Sequence, residues 1–486
     1  MLAIDAGTTG ITLCKYNRQG EVLAKVYSEF PQYYPKPGWV EHSGQEIWDT
    51  TVKLLREIGL EDVEAMGITN QRETVLAWDK ETSQPLYNAI VWQCRRTASR
   101  CQELSSEKDR IRKKTGLVLD AYFSATKMEW LLQNVEAVRK TAEAGRLAFG
   151  TIDSWLLWKL TGGKVHGTDY TNASRTMVYN IHAKEWDDEL LNLFSIPKNS
   201  LPSVYPSAYS FGETEPSLFG VSIPITGIAG DQQAALFGQK CVEPGEFKNT
   251  YGTGCFLLLH TGKDPVDSHY GLLTTLTCDR EGKAAYGLEG SIFIAGALIQ
   301  WLRDGLGLIQ TAQETEELAF SVSDTGGVHI LPALVGMGAP YWNMNVRGAI
   351  LGLTRGTTKA HISRAALESI AYQTKALVDA IAKDCSFPLT KLRVDGGATS
   401  NKFLMQFQAD ILQMDVIRPQ NIESTALGAA YLAGLGSGFW KDFETILNLP
   451  ESKTSFTPKM NKEESKRLYD QWQKAVEPLL LEKPSQ

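Results

Sequence analysis

The segment Ile228-Ala229-Gly230-Asp231-Gln232-Gln233 sets a carboxylate directly after a glycine, at the end of an apolar stretch and the start of a helical one. Such an Asp can simply cap a helix. It can also act as a general base that takes a hydroxyl proton during phosphoryl transfer. That chemistry passes through a loose transition state, so positioning and charge neutralisation do most of the catalysis. A second constellation is Gly67-Ile68-Thr69-Asn70-Gln71-Arg72-Glu73-Thr74, a strand end followed by amide, guanidinium and carboxylate. Arg72 donates and Glu73 accepts, so the pair can chelate adjacent hydroxyls of a polyol, or can be a salt-bridged surface loop. Trp92, after Ala89-Ile90-Val91, reads as a core residue or as the apolar wall of a small carbon skeleton. Tyr122 either gives its hydroxyl to the same ligand or closes a helix end.

Phosphate chemistry is suggested at the N-terminus, where Leu2-Ala3-Ile4 runs into Asp5-Ala6-Gly7-Thr8-Thr9-Gly10. Gly7 permits close backbone approach, and Thr8 and Thr9 offer hydroxyl and amide donors. Asp5 is a hard oxygen ligand suited to Mg²⁺, directly or through water. A plain hairpin turn explains the hexapeptide equally well. The weight shifts with Tyr251-Gly252-Thr253-Gly254-Cys255, a second Gly/Thr turn between strand-like arms. Two such turns can grip a polyphosphate from opposite sides. Val394-Asp395-Gly396-Gly397-Ala398-Thr399-Ser400-Asn401 is a strand–turn–helix junction whose glycines would let an adenine lie on the main chain, with Asn401 near base or ribose. The chain has neither a GxxxxGK[ST] loop nor a strand-linked GxGxxG, so P-loop and dinucleotide folds are not indicated.

The elements that must position these residues follow an α/β pattern. Strands are expected at Leu2–Asp5, Ile11–Tyr16, Val22–Tyr27 and Ala65–Thr69. Helices are expected at Ile47–Ile58, around 97–113, around 124–145, at Ile292–Leu302 and at His361–Ile381. The repeated hairpin with a Gly/Thr turn implies two related halves, 1–240 and 241–486, with a seam between Gly238 and Gly245. Ala426–Trp440, short and glycine-rich, reads as a closely packed core helix rather than a membrane span.

Composition narrows the partners. The net charge of −7 comes with no basic block, so nucleic acid is not an expected partner. Seven scattered cysteines without a CxxC point to reduced thiols and a cytoplasmic setting, and against zinc. No signal peptide and no membrane insertion are expected.

Taken together, the two Gly/Thr hairpins and the Asp-Gly-Gly loop resemble the actin-like ATPase superfamily. Their order and spacing are similar to the FGGY carbohydrate kinases. Further segments, including Tyr34–His42, Asn70–Glu73, Ile90–Arg96, Asp169–Thr176, Gly230–Gln233, Asn249–Phe256 and Gly338–Trp342, resemble the glycerol-phosphorylating branch of that family. The similarity spans residue 2 to about residue 440. It implies two actin-like, ribonuclease H-like domains around an active-site cleft, with ATP, Mg²⁺ and glycerol as ligands and a homodimer or homotetramer as the assembly. It further implies that Arg72, Glu73, Tyr122, Asp231 and Gln232 hold the glycerol hydroxyls, between apolar walls from Trp92 and Phe256. Asp231 would be the base and Asp5 would organise Mg²⁺. Thr8, Thr9, Gly10 and Thr253 would meet phosphate, and Gly296, Gln300, Gly397 and Asn401 the nucleoside. Another polyol or sugar kinase of the family is the nearer alternative; an Hsp70- or actin-like ATPase switch is the more distant one. The chain departs from the family pattern at Gly10 and Thr12, where Ser and Arg are usual, and this removes a cation near the phosphates. Glu213–Gly220 lacks the loop that binds fructose 1,6-bisphosphate and the histidine that is phosphorylated in some members. The tail from Lys462 to Gln486 does not match the segment that binds a phosphotransferase regulator. None of these controls is expected to operate.

Overall fold

The structure is a computed structural model and describes residues 1–481; the end of the tail just mentioned, residues 482–486, lies outside the described residues. The opening meander forms as expected. Strands β1 (Leu2–Ala6), β2 (Gly10–Tyr16), β3 (Val22–Glu29), β4 (Met66–Asn70), β5 (Ala208–Glu213) and β6 (Pro224–Gly230) make a six-stranded sheet in the order β5-β6-β4-β1-β2-β3. β1 runs antiparallel to β2 and parallel to β4, which is in turn parallel to β6. The carboxyl ends of β1, β4 and β6 therefore stand side by side. The chain leaves them at Gly7, Gln71 and Asp231, so three separated motifs meet at one edge, where ligands of open α/β sheets bind.

The pattern recurs. β7 (Phe247–Tyr251), β8 (Cys255–Gly262), β9 (Leu273–Cys278), β10 (Ala284–Ile292), β11 (Lys391–Asp395), β12 (Asp415–Pro419) and β13 (Lys453–Phe456) form a seven-stranded sheet in the order β9-β10-β8-β7-β11-β12-β13. Again an antiparallel hairpin is followed outward by two parallel neighbours and an antiparallel edge strand. Thr250 pairs with Asp395, which brings the second Gly/Thr turn beside the Gly396-Gly397 turn.

Helix α1 (Gly44–Ile58) is capped by the Ser43 side chain and ends at Gly59, whose φ of 72° lies in the left-handed region. α2 (Asp231–Gly238) follows β6 directly, and α3 (Gly296–Asp304), α4 (Lys359–Asp384) and α5 (Lys402–Leu412) belong to the second half. Three helical expectations need correction. Residues 97–113 are broken into short pieces, Ala98–Glu103, Ser105–Glu107 and Lys108–Thr115. Residues 124–145 split into Ala125–Asn134 and Glu136–Glu143, because Val135 is extended. Ile292 ends a strand, and the helix begins only at Gly296; an apolar run that continues from buried strand into buried helix shows no boundary in its periodicity.

Helix α6 (Ser424–Ser437) is the core helix expected from its small residues. It lies across the first sheet although it comes late in the chain. A Cβ on Gly428 would sit 1.8 Å from the Ala234 carbonyl oxygen, and one on Gly67 2.2 Å from that of Ala429. Backbone therefore meets backbone, which only glycine allows. Among the described residues, no helix is long and apolar enough to cross a membrane.

Candidate active site

Asp231 is the first residue of α2 and not its cap: Gly230 occupies the cap position, and Asp231 Oδ1 accepts from its neighbour Gln232 N at 2.7 Å. Its side chain keeps 29% of its surface exposed, while Arg72 beside it keeps 2%. Arg72 Nε stands 2.9 Å from Asp231 Oδ1, yet its N–H is not aligned to any acceptor, so the contact is an ion pair with a donor left over. The other end of the guanidinium is fully held. Nη1 and Nη2 donate to the Glu289 carboxylate at 2.5 and 3.0 Å, and Nη1 also donates to Gln233 Oε1 at 3.2 Å. Glu73, at a left-handed φ of 61°, accepts from Arg175 Nε at 2.6 Å. Arg175 Nη2 donates to Glu289 at 2.9 Å.

The aromatic residues join this cluster. Trp92 packs edge-on to Tyr122 at 5.6 Å and to Phe256 at 6.2 Å, and the Arg175 guanidinium lies 5.7 Å from the Tyr122 ring centre. Trp92 Nε1 donates to Thr8 Oγ1 at 2.9 Å, tying the acceptor wall to the first Gly/Thr turn. Lys248, fully buried, donates to Gln232 Oε1, to Thr250 Oγ1 at 2.7 Å and to the Phe256 carbonyl at 3.2 Å. Arg72, Glu73, Trp92, Tyr122, Asp231, Gln232 and Phe256 are thus one contiguous group.

The electrostatics are those of a desolvated cleft. Burial, and then the charge of Asp231, push Asp5 up to about 8. Part of the Asp5 surface is nevertheless accessible, as expected for a carboxyl on the floor of a cleft. Burial would raise Glu289, but the guanidinium groups of Arg175 and Arg72 outweigh it and bring it down to about 2. Burial lowers Lys248 to about 8. Among the described residues, no group of three or more His, Cys, Asp or Glu is placed to hold a metal ion by itself.

A cavity of about 520 Å³ opens on the second sheet and is lined by Thr253, Gly296, Gln300, Gly397 and Asn401, the five residues expected on the nucleotide from this half. None of the acceptor residues lines it. The Gly252 and Thr253 carbonyls accept from the first amides of α3, with Gly296 N to Gly252 O at 3.0 Å, so turn and helix start are stitched together. A side chain at Gly397 would meet nothing within 4 Å, which leaves the cavity floor open. Asn401 caps α5 through its carbonyl oxygen and donates to Thr315 at 3.2 Å, so both ends of its amide are engaged. Gly10 is enclosed: a Cβ there would stand 2.6 Å from Ser28 O and 2.8 Å from the Tyr27 ring. Thr12 faces the same Tyr27 across the hairpin. The Ser28 carbonyl, the nearer contact and part of the backbone, together with that ring leaves room only for a small residue at position 10.

Sequence reading missed Glu289 and gave Arg175 no role. Glu289 sits in an apolar-looking strand with no motif around it, and its partners are more than a hundred residues away. The Asp169–Arg175 segment braces the site: Thr171 Oγ1 accepts from Gly230 N at 2.8 Å, and Asn172 pairs reciprocally with Asn70 at 3.0 Å.

The models of the N-terminal and C-terminal domains of the FGGY family of carbohydrate kinases match residues 1–238 and 247–437. The chain belongs to the FGGY carbohydrate kinases. Among its relatives in the family, glycerol kinase 2 of Thermotoga maritima is 57% identical over 484 residues, covering 98% of both chains. The glycerol kinase of Carboxydothermus hydrogenoformans is 56% identical over 98% of this chain and 97% of its own. The crystal structure of Plasmodium falciparum glycerol kinase with ADP superposes with a TM-score of 0.91 at 37% identity, over 99% of this chain and 98% of that one. A xylulose kinase from Lactobacillus acidophilus, at 22% identity and a TM-score of 0.87 over 99% and 98% of the two chains, shares the FGGY fold.

Proposed function

We infer that this FGGY kinase transfers the γ-phosphoryl group of ATP to a terminal hydroxyl of glycerol, giving sn-glycerol 3-phosphate and ADP. The observation that carries the reading is the unpaired, buried Nε–H of Arg72, 2.9 Å from the Asp231 carboxylate. A buried donor without an aligned acceptor costs about 1–3 kcal/mol, which a substrate hydroxyl seated alongside the pair and within reach of both groups would offset. Relatives at 55–57% identity over nearly the whole chain are named glycerol kinases, which supports glycerol over a longer sugar.

In this reading Arg72 and Glu73 orient the hydroxyls, Tyr122 and Gln232 add contacts, and Trp92 and Phe256 hold the carbon skeleton. Asp231 takes the proton of the attacking hydroxyl as its oxygen bonds to the γ-phosphorus. The bond from that phosphorus to the β,γ-bridging oxygen breaks, and ADP leaves with the electron pair. Thr8, Thr9, Gly10 and Thr253 orient the phosphates from the two turns. Gly296, Gln300, Gly397 and Asn401 cradle the nucleoside. Mg²⁺ is usually bound by one or two carboxylates together with substrate phosphates. The residues here fit it: Asp5, whose charged form is disfavoured by burial and then by Asp231, gains from a cation and would hold it through water. When bound, Mg²⁺ supplies charge neutralisation at the phosphates.

The two units 1–240 and 241–486 are proposed to close over the substrates, since an open site would pass phosphate to water. A cytoplasmic homodimer or homotetramer is the assembly proposed. The test of the function is ADP release measured across glycerol, dihydroxyacetone and a panel of pentoses. Glycerol should be preferred; a pentose preference would favour the neighbouring sugar kinases, and substrate-independent ATP turnover an ATPase switch.

A further inference from the structure

Three buried charges from the two halves of the chain meet in one cluster. Arg72 leaves the end of β4 and Arg175 follows the Asp169–Ala173 segment, both in the first half; Glu289 is on β10 of the second. Glu289 has no exposed surface and accepts from both guanidinium groups, twice from Arg72 and once from Arg175. A carboxylate so placed must be paired, and so must its arginines, because an unpaired charge in that environment is heavily penalised. The guanidinium of Arg72 is planar, so fixing both its Nη atoms fixes the direction of Nε, the atom beside Asp231.

We propose that Glu289 is a positioning residue for the acceptor site: from the second sheet it orients Arg72 against Asp231 and, through Arg175, holds Glu73. The acceptor pocket is then incomplete without the second half, although the residues that touch the acceptor in the proposed reaction come almost wholly from the first. Glu289 also lies three residues before the end of β10, whose chain continues into α3 at the nucleotide cavity. One continuous segment thus links the acceptor charges to the nucleotide cradle. This inference rests on the kinase reading given above.

The test is steady-state kinetics of Glu289→Gln alongside the wild type, with thermal melting to show folding. The Gln variant keeps the shape but puts an amide N–H where an arginine N–H must be accepted. The glycerol KM should rise about 10-fold or more and kcat should fall by on the order of 100-fold, since a misplacement of about 1 Å has that effect. The ATP KM should stay within about 2-fold of wild type. A folded variant with an unchanged glycerol KM overturns the assignment. So does one in which both Michaelis constants rise together, as a general brace of β10 and α3 would produce. If Glu289→Gln does not fold, the double variant Glu289→Gln, Arg175→Met removes one charge of each sign and keeps the cluster balanced; it should fold and show the same split. If neither folds, Glu289 is a folding element and the positioning role is wrong. A wild type that fails to phosphorylate glycerol would instead remove the kinase reading itself.

Discussion

In the proposed reaction, Asp231 is the residue on which the chemistry turns. It stands at the first position of α2 with nearly a third of its side chain exposed, and its contact to Arg72 leaves carboxylate surface free for a substrate proton. Asp231→Asn keeps the size and the contact with Gln232 N but removes the proton acceptor. Its kcat should fall by about 10²–10⁴-fold, the usual contribution of a positioned base, with the ATP KM little changed. Near-normal kcat in that variant would assign the base elsewhere. Asp5 differs from its neighbours: Asp231 faces Arg72 Nε at 2.9 Å and Glu289 faces two arginines, whereas the charged form of Asp5 is disfavoured by burial and by Asp231 and gains from a cation. The residue types at Arg72, Glu73, Trp92 and Asp231 were legible in the sequence because each sits in a motif at a strand end. Glu289 was not, since a single acid in the strand Ala284–Ile292 gains meaning only from partners brought in by tertiary pairing.

At the scale of elements, the strand-plus-turn pattern of β1, β2 and β4 was readable because each strand is short, apolar and bounded by Gly or polar turns. Broken helices such as 97–113 were not, because their interruptions depend on tertiary packing. Two glycines separate packing from binding. Gly428→Ala drives a methyl into the Ala234 carbonyl 1.8 Å away, so Tm should drop by several degrees, with a loss of roughly 1–3 kcal/mol. Gly397→Ala points into open space, so Tm should hold while the ATP KM rises. An unchanged ATP KM would detach Gly397 from the nucleotide. His42 provides a pH test of the turn after β1. Its Nε2 lies 2.5 Å from Gln32 Oε1, and its Nδ1 is 3.2 Å from Gln71 Nε2, which also donates to the Gly7 carbonyl at 3.1 Å. This arrangement suits the neutral ring, and burial lowers His42 to about 4. The unfolded chain takes up that proton near pH 6.5 and the folded one only near 4. Stability from His42 is therefore complete above about pH 6.5 and is lost as the pH falls toward 4, by about 3 kcal/mol in all. Tm should decline across that window, and His42→Gln, less stable at neutral pH, should decline less. A Tm equally pH-dependent in the variant would remove His42 from the effect.

The whole molecule is a repeated plan: two sheets of like topology present their Gly/Thr turns at corresponding edges, with the proposed acceptor residues mostly at the first and the proposed nucleotide cavity at the second. Helix α6 crosses back onto the first sheet and packs backbone to backbone against β4, so residues from both ends of the chain share one core cluster. The twofold organisation was visible in the repeated hairpin signal, whereas the return of α6 was not, because nothing in a small-residue helix names the surface it will cover. The preference for glycerol belongs to this scale, since the proposed reaction draws acceptor groups from the first half, Phe256 and the nucleotide cradle from the second, and closure from both. The most direct test is the coupled ADP-release assay with glycerol, dihydroxyacetone and pentoses, with the phosphorylated product identified by mass. The account predicts ADP release that depends on glycerol, one glycerol 3-phosphate formed per ADP, and kcat/KM for glycerol well above that for any pentose. ATP turnover without glycerol, or a pentose used in preference to it, would contradict the account.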